Sequence, residues 1–193
     1  MNPLEIIASN QSRARDLQDA SAAFMTMVTT DPSGCPRSRV VTIRHLDETR
    51  IGFTINLKSP KYEDLQRGQG TEFHIFWPRP FVQFRLRGPV DTDQGDHCRR
   101  IWGQRPEHGR RADHYHHLQR PQGAVIGSFD QYREEMEALN IPRPERMPPD
   151  VALLLMTPDL VEFCDLNPET GIHDRRLYER TPEGPWQVRQ LVP

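Results

Sequence analysis

The sequence predicts an α+β fold in which antiparallel strands form a barrel or a sandwich and helices lie at its periphery. Five strand-like segments with short connections occupy residues 24–88. They lack the regular strand–helix–strand alternation that is typical of a doubly wound parallel sheet. Helical periodicity is concentrated at the start of the chain and at about residues 92–140, and strand-like segments return at about residues 151–193. At 193 residues we expect one domain, residues 1–193, with a sizeable core.

The first elements follow from apolar periodicity and from turn residues. Apolar side chains at helical spacing predict an amphipathic helix over residues 4–17. Phe24–Thr30 has the composition of a strand, and the turn at residues 31–34 contains Pro and Gly. This turn leads into a second strand over residues 37–44, so the two strands form a hairpin. The apolar segment Ile51–Asn56 is predicted as the third strand.

A short helix and two further strands complete the first half of the chain. Ser59 is a typical helix-capping residue and Pro60 is tolerated in the first helical turn, so a helix is predicted over residues 61–67. Strands are predicted over residues 72–77 and 81–88, where apolar and polar residues alternate. The apolar set comprises Phe73, Ile75, Trp77, Val82, Phe84 and Leu86. Because a small barrel has one interior, we expect part of this set to pack against a second copy of the chain.

The second half is predicted to contain a helical insert followed by strands. The capping-box pattern at residues 128–131 predicts a helix that ends near Leu139. The proline-rich residues 141–149 are predicted as an extended connector. The strands that follow are predicted over residues 151–157, Leu160–Asp165, 172–180 and 186–191.

Composition limits the possible partners. The chain has 25 Lys and Arg residues against 27 Asp and Glu residues, so no basic field for nucleic-acid binding is expected. The start lacks a basic segment followed by an apolar one, and the longest aliphatic run, Val151–Met156, is too short to span a bilayer. We therefore expect a cytoplasmic protein with no membrane partner. Three widely separated cysteines predict free thiols.

Basic residues around the second strand and the following helix predict an anion site. Arg39 lies in a strand with cations on both faces, and Lys61 lies at the predicted start of a helix. Side-chain charge and helix N–H groups together favour an anion such as a phosphate. The alternative is a basic hairpin whose charges are solvated.

Histidines and arginines are concentrated in the helical insert. Five of the eight histidines fall within residues 97–117. No carboxylate or thiol stands at ligand spacing, so no metal site is predicted. Several arginines and two aromatic residues lie in the same segment, which superficially suggests RNA stacking. Because Asp and Glu interrupt these arginines, a solvated face or a pocket for a small anionic molecule is favoured.

Several motifs, in the same order along the chain, resemble those of the pyridoxamine 5'-phosphate oxidase family of flavoproteins. They are Arg39-Val-Val-Thr-Ile-Arg44, Asn56-Leu-Lys-Ser59-Pro-Lys61, Gln83, His173-Asp-Arg175 and the closing Leu191-Val-Pro193. The resemblance extends from Phe24 to the final residue. It implies a split antiparallel β-barrel with peripheral helices and a homodimer with FMN sites at its interface.

The resemblance also implies roles for individual residues. The residues expected to hold FMN are Arg39, Val40, Val41, Thr42, Ser59, Lys61, Gln83 and Arg175. Arg44, Arg105 and His173 are expected to line the substrate side, with His173 as the catalytic residue. No Rossmann or P-loop glycine motif is present, so the nucleotide must be held in another way.

This sequence departs from the family pattern chiefly on the substrate side. On the flavin side, Pro60 replaces an Arg that binds the FMN phosphate, and Cys164 stands about where a flavin-contacting Trp is expected. The substrate-side replacements are Arg44 for a Lys, Ile101 and Gly109 near the positions of a Tyr and a Ser, and Gly171 for an Arg. Arg105 is the one family residue for the substrate phosphate that is kept.

The resemblance therefore implies an FMN-dependent oxidoreductase that acts on a small, anionic or heterocyclic substrate. One alternative is pyridoxamine/pyridoxine 5'-phosphate oxidase itself. An alternative of another class is a non-catalytic split barrel that binds flavin or haem.

Overall fold

The computed structural model describes residues 2–68, 70–181 and 184–193. In chain order they form α1 (Pro3–Asp16), β1 (Phe24–Thr30), β2 (Pro36–Thr42), β3 (His45–Leu46), β4 (Ile51–Asn56), α2 (Pro60–Gln66), β5 (Thr71–Trp77), β6 (Val82–Arg87), β7 (Val90–Asp93), α3 (Asp96–Gly103), α4 (Glu107–Leu118), α5 (Phe129–Ala138), β8 (Val151–Met156), β9 (Leu160–Asp165), β10 (Asp174–Glu179) and β11 (Gln187–Leu191). None of the described helices combines the length and the apolar character needed to cross a bilayer.

The chain divides into two compact units, each built from segments that are distant in sequence. Unit 1 comprises Met1–Phe53, Gly68–Asp91 and Leu155–Pro193. Unit 2 comprises Thr54–Arg67 and Thr92–Leu154 and contains α2 to α5. The expectation of a single domain stays a prediction.

A seven-stranded sheet lies in unit 1. Its strand order is β11-β10-β9-β6-β5-β1-β2. Each neighbouring pair is antiparallel, which confirms the predicted antiparallel arrangement. A second sheet has the order β3-β4-β8-β7. The closure of these sheets into a barrel stays a prediction.

The seven-stranded sheet has one buried face, which we call the inner face, and one polar face, which we call the outer face. Register pairs place six residues in one row on the inner face: Arg39, Met27, Phe73, Leu86, Val161 and Tyr178. All but Arg39 in this row are at most 2% exposed. The polar residues Gln83, Arg85 and Arg87 alternate with the apolar residues of β6 and therefore lie on the outer face.

The six apolar residues that were predicted for one face of β5 and β6 do not form a surface for a partner. Phe73, Ile75, Trp77, Val82, Phe84 and Leu86 are all fully buried within the chain. The rings of Trp77 and Phe84, for example, pack edge to face at 5.9 Å between centroids. The expectation that this set would leave apolar surface for a second copy is therefore wrong.

The second strand is shorter than predicted. β2 ends at Thr42. The backbone N–H of Ile43 still donates to Ala23 O at 2.8 Å, in register with the Phe24–Thr42 pair, whereas that of Arg44 donates to Gly52 O at 2.8 Å. The chain thus leaves β1 at this point and turns towards β4. Arg44 is consequently outside the strand that was predicted to carry it.

In unit 2, a charged network fixes α5 against α4. The carboxylate of Glu135 accepts hydrogen bonds from the Tyr115 hydroxyl at 2.6 Å and from Arg120 Nε and Nη2 at 2.9 and 2.8 Å. The hydrogen bonds from Arg120 and Tyr115 lower the pKa of Glu135 to about 2. The folded state therefore favours the ionised carboxylate.

This network predicts a measurable dependence of stability on pH. Glu135 ordinarily titrates near 4.5, so its stabilising contribution is complete above about pH 5 and is lost as the pH falls towards 2. We expect the free energy of unfolding, measured in urea, to fall less steeply between pH 5 and 2 in Glu135→Gln than in the wild type. Glu134→Gln, at an exposed neighbouring position of α5, should keep the wild-type slope. Equal slopes in Glu135→Gln and the wild type would contradict this role.

Candidate functional site

Arg39 lies on the inner face of β2, at one end of the sheet. Its Nη1 donates to Thr29 Oγ1 and, at 3.1 Å, to Arg37 O, and its side chain is half-buried. Among the described residues β2 pairs only with β1 in this sheet, so its other edge presents backbone N–H and C=O groups. Val40, on the outer face of the same strand, is 69% exposed. The predicted cofactor segment at residues 39–42 is therefore an accessible strand edge beside a half-buried cation.

Gln83 and Arg175 lie on the outer face and share one row. Gln83 of β6 is directly opposite Cys164 of β9, and Cys164 is directly opposite Arg175 of β10. Two strand spacings place Gln83 and Arg175 roughly 10 Å apart. Cys164 is only 6% exposed, and burial raises the pKa of its thiol. The structure thus brings these two predicted residues together and puts Cys164 between them.

A ladder of ion pairs holds Arg175 in place. Its Nε and Nη2 both lie 3.1 Å from Glu162 Oε1, and Arg85 Nη1 lies 3.5 Å from Glu162 Oε2. Arg85 and Arg87 in turn bind Glu72. Burial raises the pKa of Glu72, but these two hydrogen-bonded arginines outweigh burial and hold it below its usual value. Glu162, which the sequence reasoning missed, therefore orients a predicted cofactor residue.

Arg39 cannot join the row of Gln83 and Arg175 within one copy of the sheet. Arg39 lies on the inner face, whereas Gln83 and Arg175 lie on the outer face. β1 and β5 also separate β2 from β6, a distance of about 14 Å at the usual strand spacing. A single ligand that contacts Arg39 and Arg175 directly would have to meet them from opposite sides of the sheet.

His173 and Gly171 precede β10. His173 was predicted to be in the strand, but β10 begins one residue later, at Asp174. The Nδ1 atom of His173 is buried and has no hydrogen-bond partner among the described residues, which is unusual for a buried polar atom. Gly171 has φ +67°, a conformation that favours glycine, and its amide donates to Asn167 O at 3.0 Å.

In unit 2, Ser59 and Lys61 lie at the start of α2. Ser59 is fully buried, and both its amide and its hydroxyl donate to Asn56 O, at 3.0 and 2.6 Å. Its side chain does not cap the helix, although Ser59 occupies the predicted capping position. Lys61 Nζ donates to Gln122 Oε1. Ser59 therefore shapes the turn before Lys61, and Gln122 is a neighbour of Lys61 that no sequence signal had indicated.

Arg105 is held inside unit 2. Its Nη1 donates to Thr54 Oγ1 at 2.6 Å and lies 3.1 Å from Asp113 Oδ2, which also accepts a hydrogen bond from Trp102 Nε1 at 2.8 Å. Burial raises the pKa of Asp113, although Arg105 and Trp102 oppose this shift. A Cβ at Gly109 would lie 3.3 Å from Arg105 Nη2, so the glycine leaves room for this guanidinium.

The remaining residues expected on the substrate side belong to different units. Ile101 is 5% exposed and belongs to the core of unit 2. Arg44 is half-buried in the turn after β2. No group of three or more His, Cys, Asp or Glu side chains among the described residues could hold a metal ion.

The Asp113 arrangement predicts a large effect on stability. Asp113→Ala would leave the mostly buried Arg105 without its carboxylate, a change that typically costs about 3–5 kcal/mol. We expect this decrease in the free energy of unfolding measured in urea. Asp96→Ala, which removes an almost fully exposed carboxylate paired with Arg99, should change it by less than about 1 kcal/mol. Similar values for the two variants would contradict the role of Asp113.

Comparison with known proteins gives sequence relatives over the full length. No family model matches the chain. It is 27% identical over 195 residues to a pyridoxine/pyridoxamine 5'-phosphate oxidase from Brucella ovis, covering 99% of this chain and 91% of that protein. It is also 27% identical over 205 residues to pyridoxine/pyridoxamine 5'-phosphate oxidase 1 from Ralstonia nicotianae, covering 100% of this chain and 89% of that protein.

Two solved structures share the fold. A pyridoxamine 5'-phosphate oxidase-related, FMN-binding protein from Nostoc punctiforme superposes with a TM-score of 0.76 at 23% identity, covering 98% of this chain and 96% of that one. PhzG from Burkholderia lata, solved with tetrahydrophenazine-1-carboxylic acid, superposes with a TM-score of 0.81 at 18% identity, covering 100% and 93%. Together with the sequence relatives, these structures confirm the resemblance noted from the motifs.

Proposed function

We propose that this chain, a relative of the pyridoxamine 5'-phosphate oxidase flavoproteins, is an FMN-dependent oxidoreductase with a split-barrel fold. One observation carries the proposal. Gln83 and Arg175 are distant in sequence and match separate family motifs, yet they lie in one row of the outer face. The full-length relatives that are named as oxidases support the same function.

The donor groups of the chain fit FMN. Arg39 and Lys61 supply cations for the phosphate, and the free edge of β2 at Val40, Val41 and Thr42 supplies backbone groups for the polar rim of the flavin. Gln83 and Arg175 supply further donors from a fixed row. Since Ser59 uses its amide and hydroxyl on Asn56, we assign it the positioning of Lys61.

The chain would provide binding and orientation, and FMN, when bound, would supply two-electron redox chemistry. The buried, unpartnered Nδ1 of His173 suits a hydrogen bond to the substrate. Glu162 keeps the Arg175 guanidinium in one orientation. We assign Arg44 and Arg105 to an anionic group of the substrate, although Asp113 already balances much of the charge of Arg105.

We further propose that the active form is a homodimer in which each FMN contacts both copies. The support is the position of Arg39 and Arg175 on opposite faces of the sheet. One copy would contribute the β2 edge and Arg39, and its partner would contribute Gln83 and Arg175. A two-fold axis then generates two equivalent sites.

Cofactor binding gives the first test of this function. We expect purified protein to carry FMN rather than FAD, and Arg39→Ala and Lys61→Ala to weaken FMN about ten- to a hundredfold, because each removes a charge-assisted contact. Arg37→Ala and Lys58→Ala remove exposed cations that pair with Asp31 and Asp150, and they serve as matched controls. Flavin titrations in which the test variants equal their controls would remove these residues from the site.

A mixed dimer tests whether Arg39 and Arg175 serve one FMN from different copies. Arg39→Ala and Arg175→Ala, each carrying a different affinity tag, are co-expressed, and the mixed dimer is purified through both tags. One of its two sites then has both arginines, so we expect that site to bind FMN with wild-type affinity. If both arginines act within one copy, every site has one defect, and no site of wild-type affinity is observed.

Substrate choice follows from Gly171, Ile101 and Gly109. The charge and the donors that the family places at these positions are missing, so pyridoxamine phosphate should lose several kcal/mol of transition-state stabilisation. We expect slow or absent peroxide release from pyridoxamine phosphate, and a higher rate in Gly171→Arg. Space is available there, since nothing lies within 4 Å of an added Cβ, but φ +67° strains any side chain.

Gly171→Ala is the matched control, because it introduces the same backbone strain without the charge. It should not raise the rate of pyridoxamine phosphate oxidation. Robust turnover by the unmodified protein would instead support the alternative function, pyridoxamine/pyridoxine 5'-phosphate oxidase, which the named relatives favour.

A further inference from the structure

We propose that unit 2 contains a binding site for a small organic anion with an apolar body and a hydroxyl or N–H donor. The site is a cavity of about 820 Å³ beside the proline-rich connector at residues 141–149. It lies entirely among residues of unit 2. Its volume is in the range of small-molecule sites.

The charge of the cavity favours an anion. Its described lining includes Arg99, Arg143 and Arg146 together with two histidines, and it includes no carboxylate. Arg99 is balanced by Asp96, at 2.7 Å. The guanidinium groups of Arg143 and Arg146 make no ion pair and no hydrogen bond within the described part of the chain. Two arginines thus line the cavity without a carboxylate partner, and planar guanidinium groups suit carboxylate or phosphate oxygens.

His114 adds a second, independent feature. It is only 6% exposed, lines the cavity, and its Nε2 is buried without a hydrogen-bond partner among the described residues. Burial lowers the pKa of His114, with a hydrogen bond to the backbone of Pro144 opposing the shift, so the ring is neutral near pH 7. The other ring nitrogen is hydrogen-bonded to the backbone of Pro144. Nε2 of the neutral ring is therefore a hydrogen-bond acceptor that lacks a donor. Buried acceptors are rarely left unsatisfied, and because Nε2 has almost no accessible surface, a donor group of the ligand reaches it only after a small movement of the cavity lining.

The other histidine of the lining is already paired. His117 Nδ1 lies 2.6 Å from Asp150 Oδ2, which also lies 3.0 Å from Lys58 Nζ. Leu118, Ile141 and Met147, together with three prolines, form the apolar part of the wall. The arginines suit an anionic group, the His114 acceptor suits a donor group, and the apolar wall suits an apolar body, so the lining favours an organic acid that also carries a hydroxyl or N–H group.

Three probes separate these contributions: 4-hydroxybenzoate, benzoate and 4-hydroxybenzyl alcohol. Binding to the purified full-length protein is measured by titration calorimetry and by ligand-observed nuclear magnetic resonance. On the usual scale for ligands of about ten heavy atoms, we expect 4-hydroxybenzoate to bind with a Kd in the millimolar range or tighter. Benzoate should bind more weakly because it lacks the donor, and 4-hydroxybenzyl alcohol should bind more weakly because it lacks the charge.

Substitutions in the lining test whether 4-hydroxybenzoate binds in this cavity. Arg143→Ala and Arg146→Ala should each weaken 4-hydroxybenzoate about tenfold or more. His114→Phe should remove the difference between 4-hydroxybenzoate and benzoate. Arg133→Ala, in which an exposed arginine of α5 that pairs with Asp130 is removed, is the control and should bind like the wild type.

Two outcomes would overturn the proposal: no binding of 4-hydroxybenzoate by the wild type, or unchanged binding in both Arg143→Ala and Arg146→Ala. The two arginine variants test the proposal even if His114→Phe does not fold. FMN content is measured in the same samples and should be unchanged in the arginine variants. Absence of FMN from the wild type, with probe binding retained, would count against the proposed flavin function alone, so the two failures are distinguishable.

Discussion

The alternation of side chains across the seven-stranded sheet is the constraint on which the other features depend. One row of its inner face continues from Met27 through Phe73, Leu86 and Val161 to Tyr178, and all five are buried. A slip of one residue in any of these strands would expose its apolar set, so burial fixes the register. The same register then forces polar residues of β6, β9 and β10 onto the outer face. The candidate flavin residues are thus distributed between two surfaces by the demands of the core.

Carboxylate partners decide what each arginine can do in this protein. Arg175 is oriented by Glu162, and Arg105 is balanced by Asp113 in an environment that raises the pKa of that acid. Such partners reduce the net charge that an arginine offers to a ligand, while they fix its geometry. Arg143 and Arg146 have no described carboxylate partner, and they line a cavity that no carboxylate lines. The same residue type therefore serves orientation in one place and charge recognition in another.

Sequence reasoning predicted most of the fold because its signals were local. Alternation gave Phe24–Thr30 and Leu160–Asp165 with the observed bounds, and the capping residue before α5 was found at Ser128. It failed for Arg44, whose amide bonds to the carbonyl of Gly52, a partner outside the predicted hairpin. The partners of Arg105 were hidden for the same reason, because Thr54 and Asp113 belong to other elements.

Register locates Cys164 within the sheet, while its match to the family's flavin-contacting Trp stays a prediction. Cys164 stood only approximately at the position of a flavin-contacting aromatic residue, since the neighbouring turn differs in length. Strand pairing puts it directly between Gln83 and Arg175, so a small thiol occupies the middle of the candidate flavin row.

Two of the positions proposed for the substrate side, Arg105 and Gly109, are physically linked. Gly109 provides the space in which the Arg105 guanidinium turns towards Thr54 and Asp113, since a side chain there would meet Arg105 Nη2 at 3.3 Å. Ile101 is buried in the same unit, where a polar residue would need a partner of its own. A serine at residue 109 would therefore disturb a charge pair that supports the fold as well as add a donor. Recovery of the family's substrate contacts would require Arg105 to exchange its structural partners for the ligand, which is why changes at single positions are expected to act in a strongly non-additive way.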